Sequence, residues 1–155
     1  MSQAETDIKQ LLATYCHRVD RGTPEEVAAL FAPEAVLRPR FDGEYAVNGR
    51  TEIAGWYAYY NEHLRGGTRH LKHMISSIEI HVEGTHARSC CYFTAGFVST
   101  RDDKVWLAFG TYTDQLVQKD EGWLFVERII DTHFVVPGIE CVEKFPSMGY
   151  SGKSG

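Results

Sequence analysis

Residues 70–135 read HLKHMISSIEIHVEGTHARSCCYFTAGFVSTRDDKVWLAFGTYTDQLVQKDEGWLFVERIIDTHFV, and the fold is decided there. Four strand-like runs follow one another: His70 to Val82, Ala87 to Thr100, Lys104 to Lys119 and Trp123 to Val135. The breaks between them, Glu83-Gly84, Arg101-Asp102-Asp103 and Asp120-Glu121-Gly122, are short and polar, the length that joins antiparallel neighbours. In the first run Ile78, Ile80 and Val82 alternate with Glu79, His81 and Glu83, as on a strand with one wet face. In the second, Cys91, Phe93, Ala95 and Phe97 point one way and Cys90, Tyr92 and Val98 the other, and in the third Val105, Leu107 and Phe109 oppose Trp106, Ala108 and Tyr112. Apolar residues on both sides predict a sheet centre covered by helices on one face and by a partner subunit on the other, hence a homodimer or higher homo-oligomer.

Upstream the period changes. Ile8, Leu11, Leu12, Tyr15 and Val19 recur every three or four residues, one face of a helix from Glu5 to Val19. Gly22 interrupts it, Thr23 is a natural N-cap with Pro24 at the first helical position, and a second helix is expected through Val27, Leu30 and Phe31 to near Pro33. Ala35 to Pro39 reads as a short strand and Phe41 to Arg50 as a polar loop or hairpin. Ile53, Trp56, Tyr57, Tyr60 and Leu64 mark a third helix from Thr51, ended by Gly66-Gly67. Three helices followed by four long strands predict an α+β domain with the helices on one face of an antiparallel sheet. From Pro137 the periodicity is lost. The expected division is therefore a domain over 1–136 and a partly mobile extension over 137–155, whose Gly152-Lys153-Ser154 lacks the spacing and context of a phosphate loop.

A chain of 155 residues with 43% apolar and 24% charged residues has the size and composition of one globular domain. Its net charge of -5, with no Lys/Arg-rich run, argues against a nucleic-acid partner. The first thirty residues have no basic-then-apolar leader pattern, and no apolar run approaches the roughly 18 residues of a membrane span, so a cytoplasmic protein without membrane contact is expected. Cys16, Cys90, Cys91 and Cys141 show no C-x-x-C spacing and read as buried free thiols.

Two residues could carry chemistry. Asp20 follows Val19 at the end of the first helix, where it is either a solvated carboxylate or a group turned into what the helix covers. His73 shares a strand face with Ile75 and Ser77, and reads as a hydrogen-bonded core histidine or a catalyst. Brought together, the two would form an acid–base pair, the carboxylate fixing the imidazole tautomer while the second nitrogen moves a proton. Elimination or isomerisation beside a carbonyl is the natural reaction class. Tyr15 lies on the buried face of the first helix, and Trp56, Tyr57 and Tyr60 form an aromatic stripe on the third. Each is core by default and pocket wall if a pocket exists. Phe93 and Phe109 are expected to complete a substrate-binding wall with Tyr15, Trp56 and Tyr60. Arg38, Arg128, Asp131 and His133 lie near strand ends, at a pocket rim or in solvent. His70 and His73 fall on opposite strand faces, no other ligand spacing occurs, and there is neither a G-x-S-x-G nor a dinucleotide loop, so neither metal nor cofactor is implied.

Tyr15 to Asp20 (YCHRVD) with Leu30-Phe31-Ala32, Val47 to Tyr57 (VNGRTEIAGWY), His73, and Gly110-Thr111-Tyr112 followed by Gly122-Trp123 form an ordered set across Ile8 to Phe134. In that order and spacing the sequence resembles the SnoaL-like branch of the nuclear-transport-factor-2-like superfamily, which includes scytalone dehydratase, lindane dehydrochlorinase, ketosteroid isomerase and polyketide cyclases. The resemblance implies a cone-shaped fold in which the curved sheet and the helices enclose a pocket for a small hydrophobic molecule. It also implies that Asp20 and His73 are the catalytic Asp–His pair of the dehydratase-type members, and that Tyr15 contacts the substrate oxygen as in the isomerase. The isomerase's basic Asp corresponds to Arg38 here, which argues against that enzyme's route. Members that only bind ligands, and structural subunits of ring-hydroxylating dioxygenases, are the rival implication.

Overall fold

In the computed structural model, residues 2–152 are described; Met1 and residues 153–155, and with them most of Gly152-Lys153-Ser154, lie outside the described residues. Helix α1 spans Gln3–Arg21 and opens on a capping box, in which the Ser2 side chain accepts from the Glu5 backbone N–H and the Glu5 carboxylate from that of Ser2. Its buried stripe contains the periodic set read from the sequence, Ile8, Leu11, Leu12, Tyr15 and Val19, and adds Cys16. Thr23 caps α2 (Pro24–Ala28) in the same way, with Glu26 as its reciprocal partner. This helix is shorter than expected. Leu30 and Phe31 leave it because Pro33 cannot continue a helix, and Phe31 instead begins strand β1 (Phe31–Pro39) and pairs with Phe125.

Strand β2 is the two-residue Val47–Asn48, α3 spans Arg50–His63, and a single 3-10 turn, Arg65–Gly67, leads into the long strands. These are β3 (Thr68–Glu83), β4 (His86–Ser99), β5 (Val105–Lys119) and β6 (Gly122–Ile139). The six strands form one sheet in the order β2-β1-β6-β5-β4-β3. The four long strands are antiparallel, as expected, but β1 runs parallel to β6, so the sheet is mixed. Strand β6 runs past Pro137 to Ile139. The proline sits where the β5–β6 register shifts, between Leu107↔Val136 and Val105↔Ile139, and Gly138 there has φ of 61°.

Curvature comes from bulges. The β3–β4 register shifts between Arg69 and Lys72 and again between Ser76 and Glu79, and at each place one residue has positive φ, His70 at 58° and Ser77 at 52°. An extra residue in one strand bends it and increases its twist. Between the two bulges Leu71, His73 and Ile75 face inward; beyond the second the inward set becomes Ile78, Ile80 and Val82. Ser77 therefore does not share the His73 face. Gly110 meets a second requirement, because a Cβ there would collide with the Asp131 carbonyl and with the ring of Phe93, which lies across β5 at that point.

Helices α1 and α3 pack into the concave side of this sheet and the core lies between them. The opposite side is open within the chain: Met74, Tyr92 and Phe134 are all more than half exposed, so the expected second cover is not supplied by this chain. Cys16 and Cys91 are buried as predicted, Cys141 is partly buried and Cys90 is exposed, and none is in a disulfide. No helix among the described residues is long and apolar enough to cross a membrane.

Candidate functional site

The last turn of α1 carries Asp20 to the stretch of β3 that lies between the two bulges. There the Asp20 carboxylate accepts two hydrogen bonds from one residue, from the backbone N–H of His73 at 3.1 Å and from its ring Nδ1 at 2.6 Å. Both side chains are nearly buried, at 9% and 12% exposure for His73 and Asp20, so solvent competes little for the contact. An ionised carboxylate can only accept, which puts a proton on Nδ1, so that in the neutral ring Nε2 is the nitrogen with the free lone pair. His73 lines the cavity enclosed by the helices and the sheet, whereas Asp20 stands behind it. The two residues named from separate elements of the sequence thus meet, one in front of the other.

The cavity has a volume of about 100 Å³. Tyr15, Trp56, Tyr60 and Phe93 line it, as read from the sequence, together with Tyr57. Phe109 does not. Its side chain lies on the opposite face of β5, stacked on Phe134 with ring centroids 4.7 Å apart, while Ala108 and Tyr112 provide the inward wall. The expectation for Phe109 is corrected by one register step, since residues 108, 110 and 112 hold the inward phase of β5.

The polar groups in this apolar wall are few. Tyr15 and Tyr57 share a short hydroxyl–hydroxyl hydrogen bond. Burial pushes the Tyr15 phenol up to about 12, against the opposing pull of the Arg128 guanidinium, and raises Tyr57 well above the ordinary phenol value, with Tyr15 beside it adding to the effect. Both are therefore neutral hydroxyls at any ordinary pH. Phe41 is the exposed member of the wall, and its ring meets Trp56 edge-on at 6.0 Å. Trp56 Nε1 donates to the Tyr45 hydroxyl at 2.8 Å, and that hydroxyl donates to Asp42.

Beneath the pocket lies a group placed at a rim or in solvent by sequence. Arg128 is 1% exposed and makes a two-pronged ion pair with Asp114, Nε to Oδ1 at 2.7 Å and Nη2 to Oδ2 at 3.1 Å. Asp114 also accepts from Ser89 at 3.0 Å. The guanidinium is packed against the rings of Tyr112, Tyr15 and Phe125 at 3.9, 4.2 and 4.4 Å. Its Nη1 has no hydrogen-bond partner among the described residues. A signal was present, because Asp114 and Arg128, opposite charges on inward phases, are direct register partners across β5 and β6. Arg38 and Asp131, by contrast, are at the surface in ion pairs with Glu127 and Arg40 at 3.0 and 3.5 Å, and His133 bonds to Thr111 at 3.0 Å. Phe41 and Tyr112 were also missed; the first lies in an aperiodic loop and the second was read only as an alternating strand residue.

Comparison with known proteins agrees with this architecture. An uncharacterized protein of Mycobacterium tuberculosis is 25% identical over 126 residues, covering 79% of this chain and 81% of that one. Among solved structures, a candidate scytalone dehydratase from Novosphingobium aromaticivorans superposes with a TM-score of 0.73 at 22% identity, covering 92% of this chain and 95% of the other. A cystatin-like-fold protein from Nostoc punctiforme gives 0.71 at 19% identity, covering 90% and 96%. These two likenesses show the fold. The profile of the SnoaL-like domain family matches residues 1–129, and the chain belongs to that family.

Proposed function

We propose that the protein is a cofactor-independent lyase or isomerase of the dehydratase type, which moves a proton on a small hydrophobic substrate with Asp20 and His73 as its catalytic pair. The observation that carries this reading is the 2.6 Å bond from His73 Nδ1 to Asp20 in a residue whose ring faces an apolar cavity. In such a site Nε2 takes a proton from the carbon next to a carbonyl, and Asp20 holds the ring and balances the imidazolium that forms. For a β-hydroxy substrate the electron pair of the broken C–H bond forms the new double bond, the C–O bond breaks, and the imidazolium proton leaves with the hydroxyl as water. His73 is neutral again at the end of the cycle. For an isomerisation the same proton returns to a different carbon.

Tyr15 and Tyr57 supply the electrophilic side. A neutral phenol held in an apolar wall donates to a carbonyl oxygen and strengthens that bond as negative charge builds there. Trp56, Tyr60 and Phe93 supply the apolar contacts that orient the substrate. A cavity of about 100 Å³ is smaller than the ~150 Å³ that accommodates benzene. A ring-bearing substrate therefore requires side chains of the wall to move apart. Four cysteines outside any disulfide fit a reducing compartment, which supports a cytoplasmic location.

The test is elimination of water from a panel of small cyclic and acyclic β-hydroxy ketones, followed by the ultraviolet absorbance of the enone. The expected result is turnover by the wild-type chain and a loss of about 10²–10⁴-fold in kcat/KM for His73→Ala and Asp20→Asn. Rates unchanged by both substitutions would remove the pair from the chemistry. Saturable binding of the panel without turnover would leave a ligand-binding member of the same family.

A further inference from the structure

Asp20 occupies an awkward place for a carboxylate. It lies in the last turn of α1, where the free carbonyls of the helix end gather partial negative charge and an anion is disfavoured. Both of its oxygens are engaged by His73. What holds that helix end comes from another element. Arg65 opens the single turn between α3 and β3, and its Nη1 donates to two carbonyls at the α1 terminus, Val19 at 3.2 Å and Gly22 at 2.9 Å, on either side of Asp20 in the chain.

The sequence leaves that place open. The helical partner of the Val19 carbonyl would be the Thr23 N–H four residues on, but this N–H donates to Glu26 Oε1 at 3.0 Å in the capping box of α2. Helix α1 therefore stops with a carbonyl that Arg65 takes up. The basic residues of the turn itself are directed elsewhere: Arg18 donates to the Glu26 carbonyl at 2.8 Å, and Arg21 is exposed.

Arg65 is fixed from the strand side as well. Its carbonyl accepts from the Thr68 hydroxyl at 2.7 Å, and the Gly67 carbonyl accepts from the Thr100 N–H, just past β4, at 3.0 Å. Thr68 begins β3 and pairs with Ser99, so the guanidinium joins the end of the helix that carries Asp20 to the root of the strand that carries His73. The titratable groups around Asp20 are Cys16 on its own helix, Tyr60 on α3 and His73 on β3. Burial first, and Tyr15 after it, raises the Tyr60 phenol; Asp20 adds to the rise and Arg65 opposes it, so both charges act on one hydroxyl of the pocket wall.

We propose that Arg65 is a positioning residue for the Asp20–His73 pair: by bridging the α1 terminus to the root of β3 it sets the carboxylate where it accepts both N–H groups of His73, and its charge offsets the negative end of the helix. The inference rests on the reading of that pair as the catalytic one, but the geometry it concerns is present in the free protein. Without the guanidinium the helix end is free to move off β3. The Nδ1 bond then lengthens, and the tautomer that leaves Nε2 bare loses its support.

Nitrogen-15 resonances of the His73 ring, recorded on the full chain at about pH 8.5, where an ordinary imidazole is neutral, test this without any substrate. The wild type is expected to show the well-separated signals of a protonated Nδ1 and a bare Nε2. Arg65→Gln, which removes the charge, is expected to draw the two signals together as the other tautomer gains population. Thr68→Val, which removes one hydrogen bond to the Arg65 carbonyl, shifts them the same way by less, and decides alone if Arg65→Gln does not fold. Arg65→Lys, which keeps a charged donor, retains the wild-type pattern. The proposal is overturned by a wild type without that separation, or by signals indifferent to Arg65→Gln and Thr68→Val. It is also overturned if Ile53→Val, in the first turn of α3 and away from this helix end, moves them as far as Arg65→Gln. In turnover of β-hydroxy ketones, Arg65→Gln is expected to lower kcat by up to about 10²-fold with KM little changed. Shifted signals in a chain that turns nothing over would keep the positioning role and remove the catalytic reading of the pair.

Discussion

Phe93 and Phe109 stand on neighbouring strands one register step apart, since Phe93 pairs with Gly110 and Phe109 with Thr94. Each stacks on one aromatic partner at nearly the same distance, Phe93 on Tyr112 at 4.5 Å and Phe109 on Phe134 at 4.7 Å. Yet Phe93 is 5% exposed in the pocket wall, and Phe109 belongs to the open outer face. The local chemistry is the same and the consequence differs, because the inner face is closed by two helices and by a polar core that the outer face lacks. Pocket walls in this fold are thus selected by strand phase and by what stands opposite, not by residue type.

The largest expected effect comes from the polar core that separates the two faces. Asp114→Ala leaves the Arg128 guanidinium buried with no countercharge among three aromatic rings, and the cost is about 3–5 kcal/mol. A fall in the urea midpoint with an unchanged m-value measures it. Arg38→Ala, which removes one half of an exposed pair with Glu127, is expected to cost under about 1 kcal/mol. Equal losses from the two substitutions would break the contrast between the faces.

The second comparison is the two phenylalanines themselves. Phe93→Ala empties part of the pocket wall and is expected to cost about 3–5 kcal/mol. Phe109→Ala forfeits a half-buried ring on the open outer face and is expected to cost about 1 kcal/mol. The readout is again the denaturation midpoint, and the same pair can be compared for uptake of benzene. Phe93→Ala is expected to enlarge the cavity and take up more, whereas Phe109→Ala leaves uptake unchanged.

How far the sequence reveals all this depends on the range of the interactions involved. The apolar period of α1, the caps at Thr23 and Pro24 and the short turns between β3 and β6 are local, and their signals sit in a few adjacent residues. The parallel pairing of β1 with β6 joins residues about ninety apart, such as Arg38 and Ile129, and no local pattern encodes it. The bulges are an intermediate case. The inward residues change from 71, 73 and 75 to 78, 80 and 82, and that slip of phase at Ser76-Ser77 is visible as a spacing of three between Ile75 and Ile78. Missing it put Ser77 on the His73 face. Asp20 and His73 were each legible as residue types on the right elements, but only a β3 bent at His70 and Ser77 brings the ring to the carboxylate. Phe109 went astray for the converse reason. With apolar residues on both faces of β5, alternation cannot say which set the helices cover, and the inward polar pair of Asp114 and Arg128 was the clue that could have decided it.

The smallest effect concerns the hydroxyls that keep the inner face chemically distinct. Four of the eight tyrosines, Tyr15, Tyr57, Tyr60 and Tyr112, are buried on the inner side, and burial raises all four above the ordinary phenol value of 10.0. A raised pKa means that the folded state favours the protonated form. The resulting stability is fully present below pH 10.0 and is lost as the pH climbs, for Tyr15 through about 12, because the unfolded chain releases these protons first. The denaturation midpoint is therefore expected to fall progressively above pH 10, and phenolate absorbance from the inner four to appear together with the loss of circular dichroism. Phenolate absorbance from all eight tyrosines while the fold persists would mean that water reaches the wall. In a pocket so hydrated water would occupy the Tyr15 and Tyr57 hydroxyls in place of a substrate oxygen, and the distinction between the two faces of the sheet would fail at the point where the proposed chemistry needs it.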